Sequence, residues 1–439
     1  MHQIHIYLIS FIFMFCSVSH SEIQTSLLAQ GLTFLSSDYE STEKKSFAFI
    51  GATLKSDAKS EDAFKINLTG QYAVGDSVLS FLNIREIYYT NLIDEKSVLH
   101  VGRKLHNWSS LDTIWNIGIF QPQFKWNPLL PENQGLTGLF WSKNENGWGL
   151  TLFGSPLYIP DQGANYELKD GQFQSGNPWF ATPPQNVKFQ GQTLPIDYDI
   201  AKPETSSVIF QTQYGAQVWF GQGSGYFANL AGIYKPANQL ALGYKGVLVT
   251  TRVRVDITPQ VYFENAYAAD LGYRQDWGIA QLSLLYSNPQ SPPFDSSYNA
   301  PEFKPSFSFG PQIFYKFKPF DIFVGYFDTS GGEVTDLGPD ASPDRASLSQ
   351  RFLYRQALQV QVAYSEIFFK KLRFDSSLQY KTSSKEGFRQ IKFKNALNLK
   401  GPWAFWLDFL LIDTDSSIQT NFEPYKSLDQ LWLGASYDL

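Results

Sequence analysis

Thiol and imidazole chemistry is almost missing from this chain. Its single cysteine is Cys16, and three of its five histidines, His2, His5 and His20, fall in the first twenty residues. Cys16 lies in an apolar stretch, Ile6–Val18, followed by Ser19 and Ser21 in the small-x-small spacing of a secretory cleavage site. Residues 1–21 are therefore expected to be a signal peptide and residues 22–439 the mature protein. No Lys or Arg precedes the stretch, and the Phe13-Met14-Phe15 run before Cys16 lacks the small residues of a lipoprotein signal. Without residues 1–21 the chain holds no thiol for a disulfide, a thiolate metal site or a cysteine nucleophile. His100 and His106 remain, and neither a metal-ligand set nor a Ser/His/Asp device is visible around them. That weighs against an enzyme, a metal site or a bound cofactor.

Long apolar runs are missing as well. Beyond residue 22 nothing approaches the ~18 residues of a spanning helix, and the mean hydropathy is −0.24, which excludes a helical membrane protein. Charge is scarce at 17%, with a formal net charge of −6, so the basic footprint of a nucleic-acid binder is absent.

What the chain does have is 43% hydrophobic residues, with Phe, Tyr and Trp alone at 16%, and a persistent period of two. From about Thr25 onward it reads as alternating segments separated by turn chemistry, with no helical period of useful length. In Lys65–Val74, Ile66, Leu68, Tyr72 and Val74 oppose Lys65, Asn67, Thr69 and Gln71. In Val249–Ile257, Val249, Val253, Val255 and Ile257 oppose Arg252, Arg254 and Asp256. Leu358, Val360, Val362 and Tyr364 oppose Gln359 and Gln361, and Leu372, Phe374, Leu378 and Tyr380 oppose Arg373, Asp375, Gln379 and Lys381.

A soluble sandwich with one wet face makes the same alternation. Three features favour a closed membrane barrel. The pattern covers nearly the whole chain, which as an open sheet would leave long unpaired edges. Aromatics crowd the segment ends, as at Tyr88-Tyr89, Tyr315–Phe317, Phe320–Phe323 and Trp403–Trp406, where membrane girdles lie. Short turns such as 144–147, Lys318-Pro319 and Lys400–Pro402 contrast with long polar excursions near Ser287–Lys304 and Ser330–Ser347. The expected fold is all-β, a single closed antiparallel transmembrane barrel of about 16 strands, with 14 to 18 within reach of the count.

Two stretches break the rhythm. Ser155–Thr205 is rich in Pro, Gly and aromatics and reads as one long loop. Trp108–Trp115 carries a candidate N-cap at Ser109 or Ser110 and reads as a short helix, with a non-strand interval continuing to about Gly135.

The last segment, LWLGASYDL, places Leu431, Leu433, Ala435, Tyr437 and Leu439 at alternate positions, with an aromatic third from the end. In this the chain resembles Gram-negative outer-membrane β-barrels of the porin type, although their usual terminal Phe is here Leu439. The resemblance implies delivery to the outer membrane, contact with its lipid, and a hydrated lumen. It also implies, by analogy with porins, that the long loop folds inward as a constriction carrying Asp161, Glu167, Asp170, Asp197 and Asp199.

Arg or Lys on the lipid face near the midplane costs about 2–4 kcal/mol. Alternation therefore assigns Lys65, Arg252, Arg254, Asp256, Arg373, Asp375, Lys392 and Lys394 to the lumen. Mixed charge along a pore sets ion preference without covalent chemistry. The expected function is a porin-like channel for passive diffusion of small hydrophilic solutes. The alternatives are a non-channel surface barrel, an adhesin or receptor acting through its long loop, and a carrier of apolar ligands; whether the chain forms a homo-oligomer is open.

Overall fold

The computed structural model describes residues 23–36, 45–56, 63–221, 223–337, 351–368, 372–415, 417–418 and 421–439, so the signal-peptide expectation lies outside the described residues. Eighteen strands pair with their chain neighbours: β1 (Ile23–Phe34), β2 (Ser46–Ser56), β3 (Ala63–Ala73), β4 (Phe81–Asp94), β5 (Ser97–Lys104), β6 (Leu136–Glu145), β7 (Trp148–Ser155), β8 (Gln213–Phe220), β9 (Gly225–Pro236), β10 (Phe263–Gln275), β11 (Gly278–Pro289), β12 (Ser306–Phe317), β13 (Phe320–Gly331), β14 (Gln356–Phe368), β15 (Leu372–Ser383), β16 (Phe388–Leu399), β17 (Trp403–Thr414) and β18 (Gln430–Asp438). Every pairing is antiparallel, and β18 returns to β1 with Tyr437 opposite Leu27 and Leu431 opposite Thr33. The sheet is thus a closed barrel with no free edge. It has two strands more than the sixteen expected from the sequence.

The alternation is real and its two faces differ. Leu27, Ile50, Tyr72, Leu139, Leu230, Leu271, Ile313, Leu358, Leu378, Leu411 and Leu433 point outward and are 39–61% exposed. A continuous apolar belt of that extent is far larger than a water-facing surface carries, and lipid is the solvent that suits it. At the rim where β1 begins and β18 ends, the outward face is aromatic, with Trp148, Phe220, Tyr226, Trp277, Tyr315, Phe317 and Trp403. Tyr214, Tyr286, Phe307 and Phe309 form a second group toward the opposite rim.

The two rims differ in their connections. On the rim where β1 begins and β18 ends the strands turn within 95–96, 146–147, 276–277 and 318–319. On the other rim the connections run over 105–135, 156–212, 237–262, 290–305 and 332–355.

The interior is not empty. The 105–135 connection turns down into the barrel and builds the core there. Its one helix, α1 (Ser110–Trp115), starts at Ser109, whose Oγ accepts from the Asp112 N–H at 3.3 Å, and stops at Asn116 in the left-handed region with φ of 50°. Trp108, Leu111, Trp115 and Phe120, all at 1% exposure or less, pack against inward residues of many strands. These include Phe140, Phe153, Ile233, Ala268, Leu285, Phe327 and Phe388. Each buried aromatic removes on the order of 200 Å² from water, or about 5 kcal/mol at 25 cal/mol per Å². The segment is held by burial like a domain core.

Above the barrel the loops make a sheet of their own. Asn186–Phe189, Gln192–Ile200, Arg252–Gln260 and Ala241–Val249 form four adjacent strands, with a parallel pairing between Gln192–Ile200 and Arg252–Gln260. Val249–Ile257, expected as one strand of the wall, is a hairpin of this loop sheet: Val249 ends one strand, Thr250 and Thr251 turn, and Arg252–Gln260 returns beside it.

Candidate solute pathway inside the barrel

The inward face of the wall holds α1 by polar contacts. Asp270 on β10 accepts from the Ser110 N–H at 3.0 Å, so a wall carboxylate meets the first turn of the helix, as its dipole favours. Asn238, just past β9, donates to the carbonyls of Gly118, Ile119 and Gln121 at 2.7, 3.2 and 2.8 Å. Asn238 is itself fixed by Lys235, which donates to its Oδ1 at 2.8 Å and lies 3.2 Å from Glu264. Glu264 also takes Arg351 and the Ser287 hydroxyl, so a fully buried carboxylate is matched by two cations, the condition under which buried charge is tolerated. On the far side, the Tyr354 hydroxyl donates to the Trp115 carbonyl at 2.6 Å, and Lys381 of β15 donates to that hydroxyl at 2.9 Å.

Two titratable groups of the inward segment lie outside the strands. Asp112 is buried, which pushes its carboxyl up to about 6, although the N–H groups of Ile119 and Phe120 donate to it and resist the shift. His106 is pushed down to about 4 by burial and by the Lys104 cation; its Nε2 lies 2.5 Å from the Gln217 Oε1.

Cavities flank the helix. Toward the long-loop rim, adjoining spaces of about 530 and 500 Å³ share Ile117, Lys125, Gln239, Arg351 and Phe352. Toward the short-turn rim, a space of about 480 Å³ is lined by His106, Ser110, Gln217, Asn229 and Asp270 among others. Among the described residues no group of three or more His, Cys, Asp or Glu is placed to hold a metal ion.

The residues singled out from sequence divide into three sets. Lys65 sits on β3, Arg373 and Asp375 on β15, and Lys392 and Lys394 on β16. Arg373 and Asp375 pair at 2.9 Å, Lys394 lies 3.9 Å from Asp408 of β17, and Lys65 is within electrostatic reach of His100 and Lys104. Arg252, Arg254 and Asp256 do not line the wall. They belong to the loop sheet, where Arg252 pairs with Asp197 at 2.6 Å and Arg254 with Asp256 at 2.9 Å.

The third set is the acids of the long connection, which do not act together. Asp161 reaches the inward segment, accepting from the Gln123 N–H at 2.7 Å and pairing with Lys125 at 2.7 Å. Glu167 and Asp170 lie in an exposed hairpin, and Asp197 and Asp199 in the loop sheet. The principal inward fold is 105–135, with the long connection contributing Trp179, whose ring centroid is 4.6 Å from that of Trp126. Asp270, Asn238, Glu264, Arg351 and Glu132 went unnoticed in the sequence because each is one polar residue among many in an alternating strand or a loop. The density of large aromatics between Trp108 and Trp126 was the available signal.

No family model matches the chain, and no curated protein matches it. Solved structures that overlay along its length include Acinetobacter baumannii OccAB1, at 8% identity and a TM-score of 0.49, covering 96% of each chain. Pseudomonas aeruginosa OpdO overlays at 12% identity and a TM-score of 0.47, covering 95% of this chain and 97% of that one. Both superpositions are loose, and the architecture is identified by its own closure. Eighteen antiparallel strands closed on themselves, an apolar outer belt, rims of unequal length and a polar, partly filled interior give this chain the architecture of a transmembrane β-barrel.

Proposed function

We propose that this protein is a passive outer-membrane channel for small hydrophilic solutes, narrowed by the 105–135 segment. One observation carries the reading: α1 is held inside a closed barrel with a cavity on either side of it. The outward apolar belt supports a barrel seated in lipid, and the secretory signal expected over residues 1–21 fits delivery to the outer membrane.

The wall opposite the tethers of α1 is the polar side of the constriction. Lys392 and Lys394 of β16 lie there, Lys394 beside its cross-strand partner Asp408 of β17 and Lys392 toward Glu132 of the inward segment. Glu132 is itself held by the Asn83 amide at 3.0 Å and lies 3.7 Å from Arg85 of β4. Cations and anions on opposite sides of a narrow passage create a transverse field that orients dipolar solutes and sets ion preference. Small solutes pass this face; larger ones meet α1. Purified protein in a planar bilayer should give discrete conductance steps. Silence from protein that migrates as a folded, heat-modifiable barrel would contradict the reading.

A further inference from the structure

Two aromatic–glycine pairs of the barrel wall stand at the cavity of the short-turn rim. Trp219 of β8 stands opposite Gly149 of β7, and Phe227 of β9 opposite Gly272 of β10. In both pairs the ring occupies the space a Cβ would need. A Cβ on Gly149 would come within 2.3 Å of the Trp219 ring, and one on Gly272 within 2.5 Å of the Phe227 ring. The glycines let two aromatic rings lie close against the wall, and both rings line the cavity.

Beside them stand polar side chains with unmet capacity. Among the described residues Asp270 Oδ1 and Asn229 Oδ1 are buried without a hydrogen-bond partner, while Asp270 Oδ2 is occupied by the Ser110 N–H and the Asn229 amide. A buried acceptor left unmatched is unfavourable, so the site favours a ligand that brings donors. Arg274 supplies donors to the same cavity, its guanidinium carbon 5.0 Å from the Phe227 ring centroid, and Gln281 adds an amide.

We propose that this cavity is a subsite for a neutral, ring-shaped polyhydroxylated solute, a monosaccharide in chemical class; the proposal rests on the channel reading and names its substrate. An ammonium group would satisfy Asp270 but meet the Arg274 cation. A carboxylate would satisfy Arg274 but meet Asp270. Hydroxyl groups both donate and accept, so they serve Asp270, Asn229, Arg274 and Gln281 together. The C–H faces of a sugar ring supply apolar surface for Trp219 and Phe227, as pockets that pair aromatic walls with a few polar groups require.

The test is single-channel recording of the full-length protein with glucose or glycerol added to either side of the bilayer. Glucose should reduce the ion current saturably, more effectively from the short-turn side, while glycerol, which has hydroxyls but no ring face, should act only through bulk conductivity. Trp219→Ala should raise the half-blocking glucose concentration at least tenfold and leave the unblocked conductance within twofold. Phe227→Leu, a milder change, should raise it several-fold. Conductance steps that glucose leaves unaltered, or variants blocked like the parent, overturn the subsite and leave the channel standing. A silent bilayer from folded protein overturns the channel, and the subsite with it.

Discussion

The Lys125 ammonium lies 2.7 Å from the Asp161 carboxylate, and through this pair the longest connection of the barrel grips the segment that fills it. Asp161 also accepts from the Gln123 N–H, and its own N–H donates to Asn238. The acid therefore meets three connections at one point inside the mouth.

Asp161→Asn should loosen that junction without disturbing the barrel. The carboxylate is 8% exposed and Lys125 24%, so the loss lies below that of a fully buried pair, at about 1–3 kcal/mol. Single-channel recordings should show higher conductance and more current noise than the parent, with unchanged heat-modifiable migration. Identical conductance would remove Asp161 from the junction.

Asn238→Ala should have a larger effect on the inward segment. One amide satisfies the carbonyls of Gly118, Ile119 and Gln121, and the change strips those bonds and the partner of Lys235 together. We expect about 2–4 kcal/mol of local destabilisation, read as faster protease cleavage within 116–122 while the strands stay protected.

Acid should act on the inward segment with two opposing signs. His106 has its folded value lowered from 6.5 to about 4, so the stability it contributes is present above about pH 6.5 and is lost as pH falls toward 4. Asp112 has its folded value raised from 3.8 to about 6, so its contribution is present below about pH 4 and is lost as pH rises through 6. Each amounts to roughly 3 kcal/mol at 1.36 kcal/mol per unit, and the parent protein should change little between pH 7 and 4. His106→Gln removes the first contribution, and its inward segment should become more protease-resistant toward pH 4. A His106→Gln profile as flat as the parent's would contradict this account.

Arg252→Ala should be nearly silent. The Arg252–Asp197 pair is in the loop sheet, with Arg252 more than half exposed, and surface pairs contribute about 0–1 kcal/mol. Conductance and ion selectivity should match the parent's. A selectivity change comparable to that of Lys392→Ala would place Arg252 on the solute path after all.

The barrel itself was legible because a period of two with lipid on one face is written into every strand. Leu378 and Tyr380 facing out, with Gln379 and Lys381 facing in, is the pattern seen in both sequence and structure. The same pattern misled at Val249–Ile257. Alternation says that a sheet has two unlike faces and not which sheet the strand joins, and the parallel partner Gln192–Ile200 lies some fifty residues away in sequence. Ser109 as an N-cap was readable locally. That α1 would sink into the barrel was not, because its partners, from Phe140 to Phe388, are scattered across the chain. Loop length pointed to 155–205 as the constriction, whereas burial of Trp108, Trp115 and Phe120 marks 105–135.

The central claim, a hydrated channel narrowed from within by 105–135, is tested most directly by comparing single-channel conductance of the parent with a variant whose residues 108–130 are replaced by a short Gly/Ser linker. The account predicts discrete steps in the parent and steps at least twofold larger in the variant, both from heat-modifiable barrels. Equal conductance in the two proteins, or no conductance in either, would contradict it.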